Sequence, residues 1–161
     1  MKKISLFTVI ILILLPFFLI GCGEDEPESM TFIDDPGNTR QFTINELLEF
    51  NVKFIGLPDD PDIKELFETL PGLGVGGVVN GKVKGTKNKW RDAVISGSAQ
   101  EMKSNNSELT GILKDLIGSI EIKLEYLKVD GSIVGVIVDF PGDEAWADAS
   151  SVLMGGTYLR K

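Results

Sequence analysis

The chain has 161 residues, 43% hydrophobic and 25% charged, a balance that suits one folded domain and excludes a disordered chain. Twenty-four acidic against sixteen basic side chains give a net charge of −8, which disfavours nucleic-acid backbones and anionic headgroups as partners. No His is present, so the commonest general base and metal ligand is missing, and a single Cys excludes an intrachain disulfide or a cysteine-rich metal site.

Met1-Lys2-Lys3 is a short positive start, and Ile4 to Ile20 then runs 17 residues without a charge. That run is short of the ~20 residues a bilayer-spanning helix needs and ample for the apolar part of a signal peptide. It ends in Leu19-Ile20-Gly21-Cys22. This pattern resembles the lipobox of bacterial lipoproteins, over the first 22 residues only. The resemblance implies that the leader is cut between Gly21 and Cys22 and that the Cys22 thiol carries a diacylglycerol. It also implies that the new amine takes a further chain such as palmitate. Several chains hold a protein on a membrane stably where one alone does so marginally. The rest would then work in the cell envelope, outside the cytoplasm. In enterobacterial lipoproteins an Asp after the Cys signals retention in the inner membrane. Gly23 stands there, which favours the outer membrane in a Gram-negative cell. Removal of the leader takes two lysines with it and leaves a net charge of −10.

Gly23 to Asn38 is acidic and carries Pro27, Pro36 and Gly37, so it reads as a tether. Sixteen such residues would set the domain ~20–25 Å from the membrane as a coil. The cluster Glu24, Asp25, Glu26 and Glu28 reads as a solvated spacer, its spacing matching no EF-hand loop. The expected organisation is therefore a signal peptide at 1–21, a lipidated tether at 22–39 and one β-rich domain at 40–161.

From Gln41 to Ile55 apolar residues fall on even positions, as in a half-buried strand, with a bend expected near Asn45-Glu46. A helix opening at Thr43 is the competing reading. Asp60 and Pro61 suit the start of a helix whose Ile63, Leu66, Phe67 and Leu70 share a face, ended by Pro71-Gly72. Asp59, Asp60 and Asp62 read as capping residues rather than a cation site. Gly72 to Gly77 spells G-x-G-x-x-G, but a helix precedes it and a strand follows, the reverse of a dinucleotide loop.

Val75 to Thr86 alternates as one strand with a small-residue face, with Asn80-Gly81 as an alternative turn. Lys87-Asn88-Lys89 is a turn, Trp90 to Ala99 a strand and Gln100 to Ser107 a loop. Leu109, Ile112, Leu113, Leu116 and Ile117 then repeat at helical spacing, with Asn105 and Glu108 placed as a capping box and Gly118 as the stop.

Ser119 to Phe140 is a hairpin around Asp130-Gly131. A three-residue loop pairs Tyr126 with Val134, Leu124 with Val136 and Ile122 with Val138, all apolar, and burial should select that register. Pro141 to Ser150 reads as a loop with one helical turn near Glu144, Trp146 serving as a lid, and Ser151 to Leu159 as the last strand.

Six strands and two short helices without a βαβ rhythm predict a mainly β (α+β) fold, an antiparallel six-strand meander curling into a partial or closed barrel. The glycine-spaced strands and the Gly156-Thr157-Tyr158 close resemble small calycin-type barrels in outline, with no motif that assigns the folded part to a family. Three functions suit this plan. The first is a non-catalytic envelope module binding another protein or a wall component. The second is a barrel carrying a small apolar ligand. The last is a hydrolase using a carboxylate pair drawn from Asp59, Asp60, Asp143 and Glu144, although nothing marks two of these as partners. No cofactor, metal ligand or catalytic residue is expected.

Overall fold

The structure is a computed structural model that describes residues 26–35, 37–69 and 74–161. The leader, Gly21, Cys22 and the Leu70 to Gly72 helix stop lie outside the described residues. Eight strands form a closed antiparallel barrel in which each pairs with its neighbours in sequence and the last with the first. They are β1 Ser29–Asp34, β2 Arg40–Asn45, β3 Glu49–Phe54, β4 Val78–Val83, β5 Val94–Ser104, β6 Glu121–Val129, β7 Ser132–Asp139 and β8 Gly156–Leu159. Among the described residues three helices, α1 Pro61–Thr69, α2 Ser107–Leu116 and α3 Ala145–Met154, and one 3-10 turn, Lys87–Lys89, lie in the connections.

The barrel closes because alternate residues of every strand are apolar and need a common interior. Phe32, Phe42, Ile44, Val52, Phe54, Leu124 and Tyr158 lose essentially all contact with water there. Their own rings fill the space: Phe42 lies 6.1 Å from Phe50 and 5.6 Å from Tyr158, and Phe32 lies 6.4 Å from Tyr126. Phe67 of α1 stands edge-on to Phe54 at 5.0 Å.

Six expected strands become eight for identifiable reasons. Strand β1 lies in the stretch whose acidic composition reads as tether, yet Met30, Phe32 and Asp34 alternate inward. The Gln41 to Ile55 run is two strands, β2 and β3, reversing at Glu46–Leu48. Asn45 Oδ1 accepts from the amides of Leu47 and Glu49, and Leu48 takes a φ of 60°. This three-residue reversal keeps the even positions inward on both strands, so the period of two survives it.

Strand β5 starts later than expected and extends through the polar Gln100 to Ser104. A bulge with Glu101 at φ 56° shifts the inward series from Ala99 to Met102. The β6–β7 hairpin uses the two-residue Asp130-Gly131 turn, with φ 50° and 79°, and pairs Tyr126 with Val136 and Leu124 with Val138. A bulge opposite Leu127 and Lys128 takes up one residue and returns apolar side chains to the same face.

Helix α3 replaces the expected loop and the front of the last strand. Ala147, Ser150 and Met154 are its buried side. Helix α2 is capped by Asn106, whose side chain accepts from the amides of Glu108 and Leu109. The neighbouring Asn105 instead bridges to β4 through Gly76 O and Val78 N. Strand β4 runs unbroken through Asn80-Gly81 as expected.

Because the meander reverses at each connection, the two ends of the barrel differ. One end, the base, has the β2–β3, β4–β5 and β6–β7 turns, residues 26–28 and Arg160-Lys161. The other, the far end, has the remaining four connections and the three helices.

Candidate functional site

The base is closed by the β4–β5 connection, which folds across it. Trp90 turns inward and is only 7% exposed. The Tyr126 hydroxyl donates to Trp90 O at 2.8 Å, and the Tyr126 amide donates to Ala93 O at 2.9 Å. Lys87 Nζ lies 2.8 Å from Glu46 Oε1, tying the loop to the β2–β3 turn. Arg91 pairs with Glu28 ahead of β1 and stacks over the Trp90 ring at 4.5 Å. The loop thus buries its aromatic residue and turns Lys84, Lys87, Lys89 and Arg91 toward water, all four exposed. Beside it is a depression of about 300 Å³ lined by Glu28, Met30, Arg91, Lys128, Ile133 and Arg160. Two apolar side chains stand exposed at turn tips on this end, Leu47 at 41% and Val129 at 57%.

The far end carries a polar latch. Asp34 is 6% exposed and accepts from Thr39 Oγ1 at 2.8 Å, the Arg40 amide at 2.8 Å and Arg40 Nε at 3.3 Å. Arg40 Nη1 also donates to Leu153 O at 3.0 Å, and the guanidinium lies 5.5 Å from the centre of the Tyr158 ring. The Tyr158 hydroxyl donates to Met154 O at 2.6 Å. The latch therefore joins the β1–β2 connection, the end of α3 and β8. Every buried side-chain polar atom among the described residues has a partner. Such mutual hydrogen bonds hold the three segments together. Burial pushes the phenols of Tyr126 and Tyr158 well above their ordinary value of 10.0, against a smaller pull from Arg91 and Arg40 respectively.

The carboxylates considered for hydrolysis belong to two different connections. Asp60 Oδ1 accepts from the amides of Asp62 and Ile63 and caps α1. Asp59 and Asp60 precede α1, whereas Asp143 and Glu144 precede α3 in a different connection. Among the described residues no cluster of three or more Asp, Glu, Cys or His is arranged to hold a metal ion. The described part of the glycine motif is a turn that closes with Gly77 N on Gly74 O and leads into β4, so no helix N-terminus faces a pyrophosphate there. Trp146 is half-buried and donates from Nε1 to Ser119 O at 3.4 Å, as a lid over the α2–β6 join.

Charge separates the two ends. The four far-end connections hold Asp35, Asp59, Asp60, Asp62, Glu65, Glu68, Glu108, Asp115, Asp143, Glu144 and Asp148 against Lys64 and Lys114, a net of −9. The base turns and chain ends hold six cations against Glu26, Glu28, Glu46, Asp92 and Asp130, a net of +1. Neither the latch nor this polarity is apparent from local pattern, since both depend on which connections share an end. The one local signal is the run from Lys84 to Arg91, four cations in an otherwise acidic chain. Comparison with protein-family models, curated proteins and solved structures finds no match to this chain.

Proposed function

We propose that the protein is a membrane-anchored envelope lipoprotein whose barrel is a non-catalytic binding module. Lipid on Cys22 holds it, and the far end is presented to a partner. The observation that carries this reading is the basic start, the short apolar run and the Leu19-Ile20-Gly21-Cys22 pattern taken together. The direction of the chain agrees with it. Residues 26–28 lead into β1 at the base, so an anchor upstream leaves the three helices on the side away from it. An interior occupied by its own phenyl and phenol rings favours recognition at the surface over carriage of an apolar ligand. The net of −9 at the far end suits a basic partner surface.

The decisive experiment replaces Cys22 with Ser and follows processing and location. The wild-type chain is expected to carry a diacylglycerol by intact mass and to fractionate with membranes. The Cys22→Ser chain is expected to stay unprocessed and to lack the lipid. Equal processing and equal membrane retention of the two would sink the proposal.

A further inference from the structure

We propose that the base of the barrel rests against the anionic headgroups of the membrane that holds the lipid on Cys22. The inference builds on the lipoprotein reading above and adds an orientation and a contact surface to it.

The first argument is reach. With β1 starting at Ser29, only the six residues Gly23 to Glu28 separate the lipidated Cys from the barrel. Fully extended they span at most ~20 Å, and as a coil about 13 Å. Screening in physiological salt acts over ~8 Å. The base therefore stays within about two to three screening lengths of the headgroups whatever path those residues take.

The second argument is chemistry. The loop that closes the base buries Trp90 and leaves Lys84, Lys87, Lys89 and Arg91 outward, with Lys128, Arg160 and Lys161 around it. Two of the base carboxylates, Glu46 and Glu28, are already engaged by Lys87 and Arg91. Leu47 and Val129 project at the tips of two turns on opposite sides of the barrel, placed to enter the headgroup boundary. Basic side chains around exposed apolar tips are the pattern of an interfacial contact. The far end, at −9, is repelled by the same surface, so the charge polarity turns the molecule base-down. The net negative charge of the whole chain hides this, because it averages a far end at −9 with a base near neutrality. The tether carboxylates Glu24, Asp25 and Glu26 weaken the attraction, so the contact depends on anionic lipid and weakens as salt rises.

The test uses the full lipidated chain reconstituted in vesicles. Once Cys22 is acylated, an introduced Cys is the only free thiol in the chain. An environment-sensitive dye is attached to Leu47→Cys, Val129→Cys or, at the far end, Asp143→Cys. Quenching by nitroxide-labelled lipid is read in phosphatidylglycerol–phosphatidylcholine vesicles and in phosphatidylcholine alone. The expected result is quenching at 47 and 129 but not at 143, in anionic vesicles only. High salt, or Lys89→Glu with Lys128→Glu, should return it to the neutral-vesicle value. A lipidated chain whose labels at 47, 129 and 143 are equally unquenched overturns the docking and leaves the anchor standing. Equal quenching on neutral and anionic vesicles also overturns it, since headgroup charge then plays no part. A chain with no lipid on Cys22 by intact mass overturns both proposals.

Discussion

Asp34 is an aspartate almost wholly out of water, and two donors from Arg40 and one from Thr39 converge on it. Its replacement by Ala leaves the mostly buried Arg40 side chain without its counter-ion. Breaking a buried pair on one side costs about 3 kcal/mol. Asp34→Ala is therefore expected to lower the unfolding free energy from urea titration by that order, and Asp34→Asn by less, since the amide oxygen still accepts. Gly81 is constrained differently. A Cβ there would meet Met102 Sδ and the Phe50 ring at 2.5 Å, inside a filled barrel. Gly81→Ala should destabilise by about 1–3 kcal/mol in the same assay, the usual penalty of overpacking. Tyr126 and Tyr158 make stability sensitive to alkali. Their folded phenols hold the proton above the ordinary 10.0, so the folded chain binds more protons than the unfolded one once that pH is passed. Their contribution is complete below about pH 10 and is lost as pH rises through the folded values. Denaturation midpoints measured from about pH 9 upward should fall, and the fall should be shallower in a Tyr126→Phe, Tyr158→Phe chain.

At the scale of single elements, the period of two is plain in the residues because the interior demands it. What the period does not carry is direction. A three-residue reversal at Glu46–Leu48 preserves the alternation, so two strands read as one bent strand. Bulges do the opposite. At Glu101, and again opposite Leu127 and Lys128, they slip the phase by one residue, which makes a continuing strand look like a loop or a hairpin look out of register. Helix α3 misleads for a third reason, as Val152-Leu153-Met154 is apolar and short enough for a strand while its helical side is set by contact with the barrel. The latch was illegible because Arg40 reaches Leu153 across 113 positions of sequence. Local signals serve better at helix starts. Asn106 caps α2 with both amide contacts, and Asn106→Ala should cost about 1 kcal/mol by urea denaturation. Asn105→Ala acts elsewhere, loosening the turn ahead of β4.

Taken whole, the barrel is unevenly sewn. Seven register pairs join β6 to β7, whereas β1 and β8 share only Ile33–Leu159 and Asp34–Tyr158. The latch stands at this short seam and reinforces it from the far end. Native-state hydrogen exchange should find the amides of β8 and the facing end of β1 opening at lower free energy than those of β6 and β7. Uniform protection around the barrel would contradict this.

An even number of strands in a simple up-and-down order brings the first and the last strand to the same rim. A tag added after Lys161 would emerge beside residues 26–28 at the base, which on the proposed anchoring is the side between barrel and membrane. An antibody against such a tag should bind poorly to whole vesicles and well after detergent. An epitope placed between Asp143 and Glu144 should be reached in both.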